Sequence, residues 1–113
     1  VVFMPSEGPE DLQRKLQEAI AKVDSEEILF LVDLWGGSPF NQANKLFEEA
    51  PEKRAIVAGL NLPMLIEIAM LREFASSAQD VVTQSLTAGR EAIQQVSLPT
   101  PQDKVVEEDG DGI

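Results

Sequence analysis

The segment Leu31-Val32-Asp33-Leu34-Trp35-Gly36-Gly37-Ser38-Pro39-Phe40-Asn41 holds the residue types and spacing with which this chain could do chemistry. Asp33 closes the five-residue apolar run Ile28–Val32. Such a run without alternation is a strand buried on both faces, as in the middle of a parallel sheet. Ligands of open α/β sheets bind in the crevice beyond the carboxyl ends of the strands. Gly36 and Gly37 allow the backbone to turn tightly and to approach a ligand closely. Ser38 is placed to cap a helix and Pro39 to be its first residue. The helix would aim free N–H groups and its positive end at the crevice, which is a ready anion site. Asp33 would repel a phosphate directly, so its expected task is to orient a basic group that carries or receives one. The same residues also form an ordinary strand-to-helix turn, with Asp33 solvated and Trp35 covering surface. Residue types alone leave the two readings level.

The elements that must position this segment follow from periodicity. Val1–Met4, closed by Pro5, reads as a buried strand. Pro9 opens a helix with Glu10 and Asp11 at its positive end, and Leu12, Leu16 and Ile20 form its apolar stripe, with Ala19 and Val23 beside them. After strand 28–32, a helix runs through Phe40, Ala43, Leu46 and Phe47 and stops at Ala50-Pro51. Ala55–Gly59 is another apolar strand. Asn61-Leu62-Pro63 opens a helix expected to carry Leu65, Ile66, Ala69 and Met70 inward. Ser77 and Asp80 resemble a capping box for a last helix over roughly 78–96, with Val81, Val82, Leu86, Ile93 and Val96 on its apolar side. Gly89 costs that helix about 1 kcal/mol relative to alanine unless something packs closely against it.

The order β-α-β-α-β-α-α predicts an α/β fold: an open, mainly parallel sheet with helices on both faces, joined by right-handed crossovers. Residues 1–97 form the expected domain. Residues 98–113 carry five acids, one base, Pro99 and Pro101, and are expected to be an acidic tail. Val105-Val106 is its best strand candidate. Asp109-Gly110-Asp111-Gly112 hints at a calcium loop, but the later ligands such a loop needs do not follow.

Composition narrows the function classes. The 113 residues carry 20 acidic and 9 basic side chains, a formal charge of −11. That disfavours nucleic acid and anionic membrane surfaces as partners. There is no cysteine, which removes disulfides and thiolate metal sites, and no histidine. These residues therefore lack the commonest general base and cannot by themselves form a phosphohistidine. No apolar run approaches the ~20 residues of a membrane span, and a cytoplasmic protein is the expectation.

The run Leu29–Asn41 closely resembles the IIA domain of the mannose/sorbose/fructose family of the bacterial sugar phosphotransferase system. The block Ile56-Val57-Ala58-Gly59-Leu60-Asn61-Leu62-Pro63-Met64-Leu65 matches too, and Phe3-Met4-Pro5 and Gly89-Arg90-Glu91 fit its order. The resemblance covers nearly all of residues 1–97. It implies a domain that accepts a phosphoryl group from HPr on a histidine and passes it to a IIB domain, which serves the membrane sugar permease components. No cofactor and no metal are expected. The family's histidine follows its first strand, on a βα unit that would precede Val1. The expected family strand order, 2-1-3-4, leaves a slot beside strand 28–32 when that unit is missing. Noncovalent retention of the unit, direct re-pairing of the strands around the slot, and filling by a neighbouring chain are all open.

By the same resemblance, Asp33 orients the histidine, and Ser38 with the backbone around Gly36, Gly37 and Phe40 binds phosphate. Trp35, Pro39 and Asn41 line the region and face partners, and Asn61 and Pro63 build the neighbouring wall. A capped βα turn is an equal reading of that last pair. Leu34 stands where some relatives have Thr, which removes one hydroxyl donor. The resemblance also implies a homodimer with a C-terminal strand crossing between subunits, Val105-Val106 being the candidate, unless the tail starts a linker to a IIB domain. Membrane association would be peripheral, through the transporter components. The chain by itself is expected to be inactive. Two alternatives are a non-catalytic regulatory or binding module of this fold and the phosphotransfer subunit of dihydroxyacetone kinase.

Overall fold

The computed structural model describes residues 1–99. The candidate strand Val105-Val106 and the Asp109–Gly112 run lie outside the described residues. The elements are α1 (Pro9–Lys22), β1 (Ile28–Val32), α2 (Ser38–Glu49), β2 (Arg54–Ala58), α3 (Leu62–Leu71) and α4 (Ala78–Glu91). β1 and β2 pair in parallel with Ile28 opposite Arg54 and Val32 opposite Ala58. Their side chains alternate between two cores, because successive strand residues point to opposite faces. Ile28 and Phe30 meet Ala43 and Leu46 of α2, with Leu16 and Ile20 of α1 packed alongside. On the other face Val57 joins Met64 and Ile68 of α3 and Val81 of α4, with Leu29 and Leu31 against them. Helices thus cover both faces, as the apolar, non-alternating β1 requires.

Helix boundaries follow local chemistry. Gly8 is the N-cap of α1, and its N–H donates to Asp11 Oδ2 at 2.9 Å. Ser77 caps α4, its hydroxyl accepting from Asp80 N at 3.2 Å. Arg54 reaches from β2 to the Leu46 carbonyl and, at 3.4 Å, to Glu49 Oε2. It thereby places a cation at the negative end of α2.

Three sequence expectations are corrected. Val1–Met4 is not a strand: it is exposed and pairs with no other strand. A groove separates it from β1, and a strand without a ladder partner has nowhere to put its backbone hydrogen bonds. Lys15 holds this segment instead, its Nζ donating to the Val2 carbonyl at 2.8 Å and to Glu7 Oε1 at 2.6 Å. Second, α3 is rotated relative to expectation. Met64 and Ile68 are buried, while Leu65, Ile66, Ala69 and Met70 face outward. The helix is apolar nearly all round, so its sequence period could not fix its inward face. Third, α4 ends at Glu91, not near 96, and Ile93 and Val96 are exposed beyond it.

Acid should weaken this fold through three surface carboxylates. Hydrogen bonding to Lys15 holds Glu7 below its ordinary value, the Lys53 ammonium does the same for Glu26, and the Ser76 hydroxyl lowers Asp80. A carboxyl lowered in the folded state contributes its full stabilisation above its unfolded value. That contribution disappears as pH falls through the lowered folded value. The melting temperature is expected to hold near neutrality and to fall as pH drops below 4.5, the ordinary value for Glu7 and Glu26. Melts followed by circular dichroism across that range test this. Glu26→Gln with Glu7→Gln should flatten the acid limb.

Candidate functional site

The carboxyl ends of β1 and β2 are fastened past the strands themselves. Leu60 N donates to the Val32 carbonyl at 3.2 Å, and Gly59 N donates to the Asp33 carbonyl at 3.1 Å. These two bonds fix the backbone of Asp33 at the rim of the sheet and leave its carboxylate exposed. Gly59 then turns with φ +80°, and Gly36 with φ +84°. Both values lie in the left-handed region that side chains with a Cβ rarely adopt, so glycine is needed at each.

After Gly36 the chain enters α2. Here Gly37, not Ser38, is the N-cap, with φ −77° and ψ 174°. Ser38 is the first helical residue and Pro39 the second. The Asn41 N–H donates to the Gly37 carbonyl at 2.8 Å and is the first bond of the helix. The shift of one residue arises because no side chain caps this terminus. It frees the Ser38 hydroxyl, which is exposed, from a capping duty. The N–H groups of Gly37, Ser38 and Phe40 have no carbonyl within the helix to bond, and Pro39 has no N–H. Three N–H donors, the Ser38 hydroxyl and the positive helix end are therefore gathered at the start of α2, a few residues past Asp33. That arrangement suits an oxyanion.

Trp35 folds over Phe40 with ring centroids 4.5 Å apart and planes at 39°. Trp35 is nonetheless 80% exposed, and Leu34 beside it is also exposed. Two large apolar side chains in water at the mouth of the turn form a surface that a partner could cover. Pro39 and Asn41, in the first turn of α2, are exposed as well.

Asn61 and Pro63 stand at the end of β2, at the start of α3. Asn61 is the N-cap, its Oδ1 accepting from Met64 N at 3.1 Å, while its Nδ2 donates to the Gly89 carbonyl of α4 at 3.1 Å. Both ends of the amide are engaged, so its observed work is to tie α3 to α4. Pro63 is exposed at the second position of α3. The same contact accounts for Gly89. A Cβ there would lie 2.6 Å from Met64 Cε and 3.5 Å from Asn61 Nδ2. Sequence reasoning expected Gly89 to cost its helix unless something packed against it, which Met64 does, but missed the Asn61 bridge. The signal was the pair Asn61 and Gly89, each unusual for its element. Asn61→Ala is expected to cost about 1–3 kcal/mol, because it removes a cap and leaves a part-buried carbonyl unpaired. Urea unfolding compared with the parent measures it.

A groove of about 260 Å³ runs along the unpaired edge of β1 and reaches Pro39 at this site. Among the described residues no helix is long and apolar enough to cross a membrane.

Comparison with known proteins bears on this geometry. The family model for the PTS system fructose IIA component matches residues 1–86. The mannose-specific EIIAB component of Escherichia coli strain K12 is 40% identical over 93 residues, covering 81% of this chain and 28% of that protein. The fructose-specific EIIA component of Bacillus subtilis is 42% identical over 74 residues, covering 65% of this chain and 50% of that one. The chain thus spans half or less of these relatives' length. Two solved structures share the fold. EIIA from Streptococcus agalactiae superimposes with a TM-score of 0.76 at 33% identity, covering 84% of this chain and 72% of that one. The mannose/sorbose-specific IIA subunit from Enterococcus faecalis gives 0.75 at 29% identity, covering 88% and 74%.

Proposed function

The chain belongs to the mannose-type IIA family of the sugar phosphotransferase system, and on that premise we propose that it is part of a phosphoryl carrier serving sugar uptake. In this reading the carrier takes its phosphoryl group from HPr and hands it to a IIB domain. The observation that supports the reading most is the succession of Asp33 at the rim of the sheet, the Gly36 turn and the N-terminus of α2 without a side-chain cap.

The chemistry follows from that placement. One nitrogen of a histidine ring donates an N–H hydrogen bond to Asp33 and keeps its proton, which fixes the tautomer and leaves the other nitrogen as nucleophile. That nitrogen attacks phosphorus as the N–P bond to the HPr histidine breaks, and the freed ring nitrogen of HPr keeps the electron pair. The N–H groups of Gly37, Ser38 and Phe40, with the Ser38 hydroxyl, neutralise the oxygens of the group in flight. The reverse sequence delivers it to IIB. Trp35, Leu34, Pro39 and Asn41 form the surface on which these partners alternate. Asn61 and Pro63 hold the wall opposite. The carrier works as a cytoplasmic homodimer, held at the membrane only through the transporter components.

Since the 113 residues include no histidine, they do not take up phosphate by themselves. That fact also favours a second reading, in which the chain binds partners without turnover. One experiment separates both from no role at all. The ¹⁵N-labelled chain is titrated with HPr and then incubated with phospho-HPr. Amide shifts confined to Leu34–Asn41 and Asn61–Leu62, with no acid-labile phosphate on the chain, are expected. Phosphate on the chain, or no shift in the turn, overturns the proposal.

A further inference from the structure

We infer that Asn61 is a positioning residue for Asp33, acting through the Gly59–Leu60 backbone, and that its working atom is the Nδ2 bound to α4. Between β2 and α3, three consecutive residues donate outward. Gly59 N donates to the Asp33 carbonyl, Leu60 N to the Val32 carbonyl, and Asn61 Nδ2 to the Gly89 carbonyl at 3.1 Å. The first two bonds lie past the last ladder pair, Val32 with Ala58. Gly59, with φ +80°, has already left the extended conformation of β2. What keeps this segment against β1 must therefore come from its other end, which is Asn61.

A cap alone would not do this. Asn61 Oδ1 accepts from Met64 N, and its backbone carbonyl accepts from Leu65 N at 3.0 Å. Both bonds run into α3, which moves with Asn61. Packing of Met64 and Ile68 on Val57 holds α3 to the sheet, but apolar burial is non-directional and sets no register. The Nδ2 bond does, because it leaves for α4, and α4 is a fixed reference. Val81 of α4 is buried with Val57 of β2. The first N–H of α4, at Ala78, donates to Glu27 Oε1, just before β1, at 2.7 Å. α4 is thus tied to the sheet at the start of β1, and through Asn61 it holds the other end.

The residue types fit this role. Serine and aspartate cap helices as well as asparagine, but only asparagine sets a separate donor atom beside the acceptor. Gly89 lets the two helices come close enough for the amide to span them, since Met64 lies across the place of its missing Cβ. Asp33 is exposed, and its backbone is the part that the fold holds. Loss of the Nδ2 bond would free Asn61, then Leu60 and Gly59, and would loosen the Asp33 carbonyl from its partner. That this serves phosphoryl transfer rests on the carrier reading, whereas the hold on Asp33 rests on the geometry alone.

The test accordingly uses neither HPr nor phosphate. Amide hydrogen exchange and the carbonyl ¹³C shift of Asp33 are measured by NMR in the 113-residue chain and in three variants. Asn61→Asp keeps the cap and turns the donor into an acceptor facing another acceptor. Asn61→Ser keeps the cap and removes the donor without adding charge. Gly89→Ala displaces the methyl end of Met64, a flexible side chain, and its Cβ would meet Asn61 Nδ2 at an ordinary 3.5 Å. Both Asn61 variants are expected to speed exchange at Gly59 and Leu60 by about tenfold or more relative to the amides of β1 and β2. They should also shift the Asp33 carbonyl resonance. Gly89→Ala should leave both near the parent. Acceleration shared equally by the strand amides would make Asn61 a general stabiliser and overturns the inference. So does an unmoved Asp33 carbonyl in Asn61→Asp. Equal loosening in Gly89→Ala overturns it too, since Met64 packing would then be the holder.

Discussion

Replacing Leu46 by alanine is expected to lower the unfolding free energy by about 2–5 kcal/mol, the usual cost of such a truncation in a close-packed core. Leu46 is 1% exposed and lies where α2 meets Ile28, Phe30 and Ala43. It also supplies the carbonyl that receives Arg54, which ties the α2 backbone at this residue to β2 and resists collapse into the void. A domain of this size has about 5–15 kcal/mol in total, and a two-stranded sheet with an open edge belongs to the lower part of that range. The variant should therefore unfold at much lower urea with an unchanged m-value. Leu65→Ala is the matched control. Leu65 is 42% exposed on the outer side of α3, and its truncation should cost under ~1 kcal/mol. Equal losses at the two positions would mean that α3 is turned the other way.

That control marks where the sequence was readable and where it was not. β1 and β2 were legible because five consecutive apolar residues admit few structures other than a strand covered on both faces. α1 was legible because Leu12, Leu16 and Ile20 leave one inward face. α3 was not. Its residues are apolar on nearly every side, and only contacts made by Val57 and Val81 select Met64 and Ile68 as the inward pair. Val1–Met4 failed for a different reason. Its composition is that of a strand, but a strand exists by pairing, and its neighbour in the sheet is a groove. Local sequence does not say whether a ladder partner stands beside a strand. At the site, Asp33, Gly36 and the start of α2 lie as their spacing suggests. The cap moved from Ser38 to Gly37 because extended backbone alone suffices there. Asn61 read equally as a lining residue and as a helix cap; it is the cap, but nothing near it in sequence announces Gly89, 28 positions away.

Asp33→Asn should abolish most phosphoryl transfer while leaving the fold intact, and this is the largest functional effect expected. On the carrier reading, the assay uses this chain together with a segment that supplies the accepting histidine. Asp33 is exposed and its backbone carbonyl, not its carboxylate, receives Gly59 N. Stability should thus change by no more than ~0.5 kcal/mol. The carboxylate matters for charge and for tautomer. Asparagine can offer either an acceptor or a donor to the ring, so it no longer dictates which nitrogen is protonated, and it cannot stabilise a developing imidazolium. Loss of such an orienting and acid–base partner typically costs about 10²–10⁴-fold in rate. The pH profile of transfer from phospho-HPr should then shift toward lower pH, as the ring's basicity falls. A structural role for Asp33 would lower the rate at every pH alike and would lower the melting temperature with it. Ser38→Ala separates the two halves of the site. It removes one hydroxyl from the oxyanion donors but leaves the N–H groups of Gly37, Ser38 and Phe40, so its loss should be smaller and its pH profile unmoved. If Asp33→Asn transfers phosphate at the parent rate, the acid at the end of β1 is a solvated strand end and the carrier chemistry lies elsewhere.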